Sequence, residues 1–182
     1  MDEAQLVKRL QTAVPSCLKQ FKTTPAELPK PFDENPCSVW RIACKCGGEQ
    51  GHFLGYPLKD YNAEYDGPEC FLSPLAFECN TCSTVTELLN TDLHGYHAEV
   101  ARLEGDEHGS SKLIGEGSRQ VFRCSDCGSD VFSVVAGFVF WYPDELADEF
   151  DEAWEDLFSV FLCHCTCAGC GQTSEPTDFG KL

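Results

Sequence analysis

Val121-Phe-Arg-Cys124-Ser-Asp-Cys127-Gly128 sets two thiols three residues apart at the end of a β-prone run, with a glycine directly after the second. A Cys-x-x-Cys turn lets two sulfurs converge on one ion, and the glycine permits the tight backbone that must follow. The same arrangement returns as Cys167-Ala-Gly-Cys170-Gly171. Between the two pairs stands an aromatic stretch, Gly137-Phe-Val-Phe-Trp-Tyr142-Pro143. A structural zinc site takes four soft ligands in a tetrahedron, commonly as two short-spaced pairs from separate turns, and these two pairs supply them.

The order of landmarks occurs once more upstream. Trp40-Arg-Ile-Ala-Cys44-Lys-Cys46-Gly47-Gly48 leads into an apolar run that ends at Tyr56-Pro57, and Phe77-Glu-Cys79-Asn-Thr-Cys82 closes it. Strand, cysteine pair, aromatic strand, Tyr-Pro and second cysteine pair therefore appear twice, which reads as an internal duplication. The intervals of 32 residues between Cys46 and Cys79 and 39 between Cys127 and Cys167 leave room for a β-hairpin or a three-stranded excursion. β-Branched and aromatic enrichment predicts strands at Ser38–Ala43, Leu75–Glu78, Gln120–Arg123 and Val131–Tyr142.

These pairs and their flanking strands, roughly 40–82 and 121–171, resemble the zinc-ribbon class of structural zinc modules, here in tandem. The resemblance implies a fold and a metal; many unrelated functions share that scaffold. The implied cofactor is two structural Zn²⁺ ions, the first held by Cys44, Cys46, Cys79 and Cys82 and the second by Cys124, Cys127, Cys167 and Cys170. The tighter Cys44-x-Cys46 spacing leaves open a distorted first site or recruitment of His52. Cys163 and Cys165, alternating with Cys167, are open replacements in the second site or small buried side chains. Cys17, Cys37 and Cys70 stand alone and are expected to be inert thiols. Thirteen cysteines, an odd number, argue against a complete disulfide framework, and four pairs in a repeated β-rich frame fit metal better than a single redox motif.

The rest of the chain frames these halves. Leu6, Leu10 and Ala13 or Val14 predict a short amphipathic helix that Pro15 stops, and residues 15–36, with five of the ten prolines, predict an extended arm. Thr84 and Glu87 form a capping-box pattern that predicts a helix from about Ser83 to Asn90. A second helix is predicted from Asp144 to about Leu157, with Leu146, Phe150, Ala153 or Trp154 and Leu157 on one face. The expected fold is therefore α+β and β-rich. It comprises an N-terminal helix and Pro-rich arm (1–36), a first ribbon half (37–103), a Gly-rich loop (104–118) and a second half with an acidic helix (119–182).

Charge narrows the function. The formal net charge is −17, and it is uneven: residues 1–41 carry a net +1 and residues 42–182 a net −18. Two four-thiolate zinc sites each add −2, taking the loaded chain to about −21. Such a surface opposes direct contact with a phosphate backbone, which needs Lys and Arg to displace counterions. It suits a basic protein partner, as for an inhibitor or immunity protein that captures a toxin or nuclease by electrostatic steering. Asp144, Glu145, Asp148, Glu149, Asp151, Glu152, Glu155 and Asp156, eight acids with no base among them, are the candidate docking face. Two alternatives stand beside this reading: a zinc-ribbon factor associated with nucleic-acid or transcription machinery, and a metallohydrolase using His94 and His97. For the metallohydrolase, Gly95 argues against one helix presenting both imidazoles. No apolar run is long enough for a membrane helix, and the acidic start Met1-Asp-Glu lacks a signal-peptide pattern, so the expected location is cytoplasmic. Oligomeric state has no signature in the sequence.

Overall fold

The computed structural model describes residues 3–28, 35–104, 114–141 and 154–177. Helix α1 (Glu3–Gln11) leads through a 3-10 turn (Ser16–Leu18) into strand β1 (Lys22–Pro25). The first half follows as β2 (Cys37–Ala43), β3 (Gly51–Pro57), β4 (Phe71–Cys79) and β5 (Val85–Leu89). Helix α2 (Tyr96–Glu104) precedes the second half: β6 (Gln120–Val121), β7 (Phe132–Phe140), β8 (Phe158–Cys167) and β9 (Thr173–Ser174).

Among the described residues nine strands join one antiparallel sheet, ordered β1-β2-β7-β3-β4-β5, with β6 on β3 and β8 between β7 and β9. The sheet curls, so that β5 at one end packs against the Ser16–Leu18 turn that leads into β1 at the other. Alternation along β7 explains the inside of the curl: Phe132, Val134, Ala136, Phe138 and Phe140 are buried, while Ser133 and Val135 are only partly so. The interior is a single hydrophobic cluster rich in phenylalanine. Phe53, Phe71 and Phe122 meet edge to face at centroid separations of 5.7–6.4 Å, and Phe138 packs between Phe158 and Phe161 in the same manner.

The two halves have the same element order, and each lends a strand to the other. Arg41, three residues before Cys44, pairs with Val135, eight residues after Cys127. Val121, three residues before Cys124, pairs with Leu54, eight residues after Cys46. Gly51 and Phe132, each five residues past the second cysteine of its turn, pair with each other. These matched offsets define a pseudo-twofold axis between Gly51 and Phe132. A Cβ at Gly51 would collide with the Glu78 carbonyl, so the close approach of β3 to β4 beside this axis requires glycine.

Two expectations from the sequence change. The segment predicted as a helix from Ser83 to Asn90 is strand β5, paired with β4 from Val85↔Glu78 to Leu89↔Leu75. Ser83 has a φ of 56°, the Thr84 hydroxyl lies 3.3 Å from the Cys82 sulfur, and Glu87 pairs with Arg119 at 3.3 Å, so neither capping-box side chain caps a helix. The Pro-rich arm is partly a packed element: β1 lies along β2, and Cys17, Leu18 and Phe21 are in the core. Helix α2 begins directly after Gly95, whose φ of 94° turns the chain into it. Most of the acidic helix predicted at 144–157 lies outside the described residues; its end is a 3-10 turn, Trp154–Asp156.

Candidate metal centres

Each centre grows from two turns that interrupt the sheet. In three of them the first cysteine's N–H donates to a carbonyl five residues on: Cys79 to Thr84 (3.0 Å), Cys124 to Ser129 (2.8 Å) and Cys167 to Gln172 (2.8 Å). The Cys44 turn is one residue shorter and closes from Cys44 N–H to the Gly48 carbonyl at 2.8 Å. In all four, the residue after the second cysteine lies in the left-handed region: Gly47 (φ 100°), Ser83 (56°), Gly128 (73°) and Gly171 (78°). That conformation reverses the chain so the second sulfur folds back beside the first, and three of the four positions use glycine for it.

The turns bring together Cys44, Cys46, Cys79 and Cys82 in one group, and Cys124, Cys127, Cys167 and Cys170 in the other. Within each group all four Sγ atoms lie within 4.8 Å of one another. The closest pairs are Cys44···Cys82 and Cys46···Cys79 at 3.6 Å, Cys124···Cys170 at 3.6 Å and Cys127···Cys167 at 3.5 Å. A tetrahedron of sulfurs about 2.3 Å from a central ion has edges of about 3.8 Å. A disulfide would need about 2.05 Å, and all thirteen cysteines are free thiols. Both groups therefore have the donor set and the spacing to hold a metal ion. In each turn the first cysteine is buried and the second exposed, so each centre has an inner pair anchored in the core and an outer pair toward solvent.

The surroundings already favour thiolate. Gly48 N–H points at Cys46 Sγ (3.4 Å), Thr81 N–H at Cys79 (3.4 Å) and Gly169 N–H at Cys167 (3.3 Å). Cys82 is held down to about 6, first by the Thr84 hydroxyl and then by the Thr84 backbone and the neighbouring thiols. Cys167 is likewise lowered to about 6, chiefly by the Cys170 N–H, against the opposing effect of burial. Their neighbours compensate. The Gly48 N–H favours the Cys46 thiolate, yet hydrogen bonds with Cys82 and Cys79 push it up to about 12. Cys170 behaves the same way, favoured by the Gln172 N–H but pushed up to about 12 by Cys124 and its partners. Cys82 and Cys79 in the first group, both lowered, and Cys167 in the second are thus poised to meet a cation, and the remaining protons leave when metal enters.

The candidate replacement ligands lie elsewhere. His52 Nδ1 is 2.9 Å from the Asp130 carbonyl, outside the first group. Cys163 and Cys165 face the core with their sulfurs 3.9 Å apart, and burial raises the Cys165 thiol well above its ordinary value. Cys17 is raised by burial and by Asp156, and burial pushes Cys37 up to about 11, so both stay protonated at neutral pH. His94 Nδ1 accepts from the Asn90 N–H at 3.0 Å in the turn before α2, while His97 sits in the first turn of that helix against Tyr96. Of the acidic residues singled out, Asp144, Glu145, Asp148, Glu149, Asp151 and Glu152 lie outside the described residues. Asp156 accepts from the Ser16 N–H at 2.6 Å, and Glu155 pairs with Arg9 at 3.5 Å, so the end of this run ties down the N-terminal segment.

Sequence reasoning passed over three contributors. Thr84 tunes Cys82, and its signal is a hydroxyl two residues past a cysteine. Gly48 leaves room for Cys79, whose Sγ would lie 2.6 Å from a Cβ there. Lys45, inside the short turn, donates to the Lys19 (2.9 Å) and Phe21 (3.0 Å) carbonyls, a tertiary link with no local signature. No family model, curated protein or solved structure matches the chain. Among the described residues, no helix is long and apolar enough to cross a membrane.

Proposed function

We propose that the chain is a non-enzymatic, zinc-stabilised acidic protein that binds a basic protein partner, in the manner of an inhibitor or immunity protein. The observation that carries the metal half of this reading is the all-cysteine donor set. Four thiolates saturate a tetrahedral ion and leave no position for water or substrate, the pattern of a structural rather than a catalytic site. Zinc suits it because soft thiolates in a tetrahedron match that ion without redox chemistry.

The partner half rests on charge. With −17 before metal, the chain repels polyanions and attracts a basic surface over a Debye length, about 8 Å at physiological salt. Asp60, Glu64, Asp66 and Glu69 on the exposed loop between β3 and β4 add to that field from the first half. His94 is engaged by backbone, which favours a structural role over the metallohydrolase alternative.

Native mass spectrometry of the purified chain tests the metal, with two zinc ions expected. Affinity capture from the host cell at low and high salt tests the partner: a basic protein retained at low salt and released at high salt is expected. Retention of plain DNA or RNA on a filter would instead favour the nucleic-acid reading, and an absence of zinc would remove the whole proposal.

A further inference from the structure

The two cysteine centres do not belong to two separate sheets. The strand that delivers Cys44 is laddered to β7 of the second half from Arg41↔Val135 to Cys37↔Val139. The strand that delivers Cys124 is β6, two residues long and paired with β3 of the first half. Phe122 N–H, two residues before Cys124, donates to the Phe53 carbonyl at 2.9 Å and extends that attachment. A strand so short has little hold of its own; it stays in place while β3 presents an ordered edge and Cys124 is anchored.

More links cross between the centres. Gly51 pairs with Phe132, and His52 Nδ1 meets the Asp130 carbonyl, three residues past Cys127, at 2.9 Å. Asp130 is also 3.8 Å from Arg123, which directly precedes Cys124. The four inner ligands, Cys44, Cys79, Cys124 and Cys167, are members of one continuous core.

We infer that the two centres bind metal as a single cooperative unit, because each centre's first turn is held in place by a strand of the other half. The inference rests on the metal reading above and adds to it. With the first centre empty, the Cys44 and Cys79 turns lose the ion that joins their sulfurs and keep only backbone pairing, from Asn80 N–H to the Gln50 carbonyl at 3.0 Å and along the β3–β4 ladder; the start of β3 loosens, and with it the edge that positions β6 and Cys124. With the second centre empty, β7 loosens, and with it the ladder that positions β2 and Cys44. Tandem ribbons whose lead-in strands stayed in their own sheets would fill independently. Here the coupling is reciprocal, as linkage requires of any two binding sites.

Partial stripping of the zinc-loaded full chain with a chelator, read by native mass spectrometry, tests this. At half the full zinc content, equal and independent centres give zero-, one- and two-zinc chains in a ratio of about 1:2:1. Coupling predicts a one-zinc species roughly ten-fold or more below that share. A one-zinc species at or above the statistical share overturns the coupling and leaves the zinc reading standing. A chain that carries no zinc at all overturns both. His52→Ala removes a bridge without touching a ligand, and a rise in its one-zinc species is expected; no change relative to the parent chain would count against His52 as a link. Cys82→Ser, at an outer ligand, is expected to weaken zinc retention at the intact second centre as well. Undiminished retention there would overturn the coupling, and if that variant fails to fold, the stripping of the parent chain still decides.

Discussion

The first and second cysteine centres share ligands, edge lengths and a pattern of inner and outer thiols, but their turns are supported differently. In the first, the Cys44 turn is a residue short, Ser83 occupies a left-handed position, and Lys45 reaches out to the N-terminal segment. In the second, both turns use glycine at that position, and Ser125 and Asp126 hydrogen-bond to each other at the exposed tip. The second centre's turns thus have the more regular local geometry, whereas the first adds the tertiary contacts of Lys45 to hold a less regular turn. The same donor set can be reached either way, because the ion needs only the positions of four sulfurs.

The largest effect that would break this comparison is loss of an inner ligand. Cys79→Ser and Cys167→Ser are each expected to lose metal and most of the chain's stability, since a structural zinc is worth about 10–16 kcal/mol apparent. Cys17→Ala, buried in the same core, should cost only about 1 kcal/mol. Thermal denaturation of the three variants checks this, and equal losses would refute the ligand assignment.

Acid should strip both centres, by competition of protons for the thiolates. Cys82 and Cys167 sit near 6 instead of the ordinary 9, so what their ionisation contributes is complete only above about 9, declines through neutral pH and is gone below about 6. Metal affinity should therefore fall with decreasing pH and most steeply below that value. Release followed with a colorimetric zinc indicator between neutral and mildly acidic pH tests the sign; affinity that rises with acid would contradict it. Thr84→Val, which removes the hydroxyl beside Cys82, should move the first centre's release to higher pH and, through the coupling of the centres, carry the second centre's release in the same direction.

A smaller effect sharpens the contrast between the turns. Lys45→Ala loses two hydrogen bonds to the N-terminal segment and should cost about 1 kcal/mol, with faster hydrogen exchange in residues 16–25. Ser125→Ala, at the tip of the corresponding turn, should change neither. An effect of similar size reverses sign between centres. Ser83→Gly relieves a left-handed position and should stabilise the loaded chain by about 0.5–1 kcal/mol, whereas Gly171→Ala should destabilise it by about 1–2 kcal/mol. Chemical denaturation resolves both.

Much of this was legible in the sequence because cysteine spacing is local information. The eight cysteines that converge all stand in pairs two or three residues apart, each pair in a turn; Cys163 and Cys165 have the same spacing but lie within strand β8 and face the core. The departure at Ser83–Asn90 has a particular cause: a capping box needs two side chains free to reach backbone N–H groups, and here Thr84 is engaged by the Cys82 sulfur and Glu87 by Arg119. The prolines predict an extended arm, yet Pro25 is tolerated at the end of strand β1, which among the described residues has a neighbour on one side only.

By itself the sequence determined the donor set, the duplicated order of elements and the acidic charge, since each is a property of which residues are near one another along the chain. Only the tertiary structure decided that the halves exchange their lead-in strands, that Lys45 ties the first turn to the N-terminal segment, and that the inner cysteines share one core. A two-residue strand such as β6 has no periodicity to read, and its partner is chosen by the edge available after the rest of the sheet has formed.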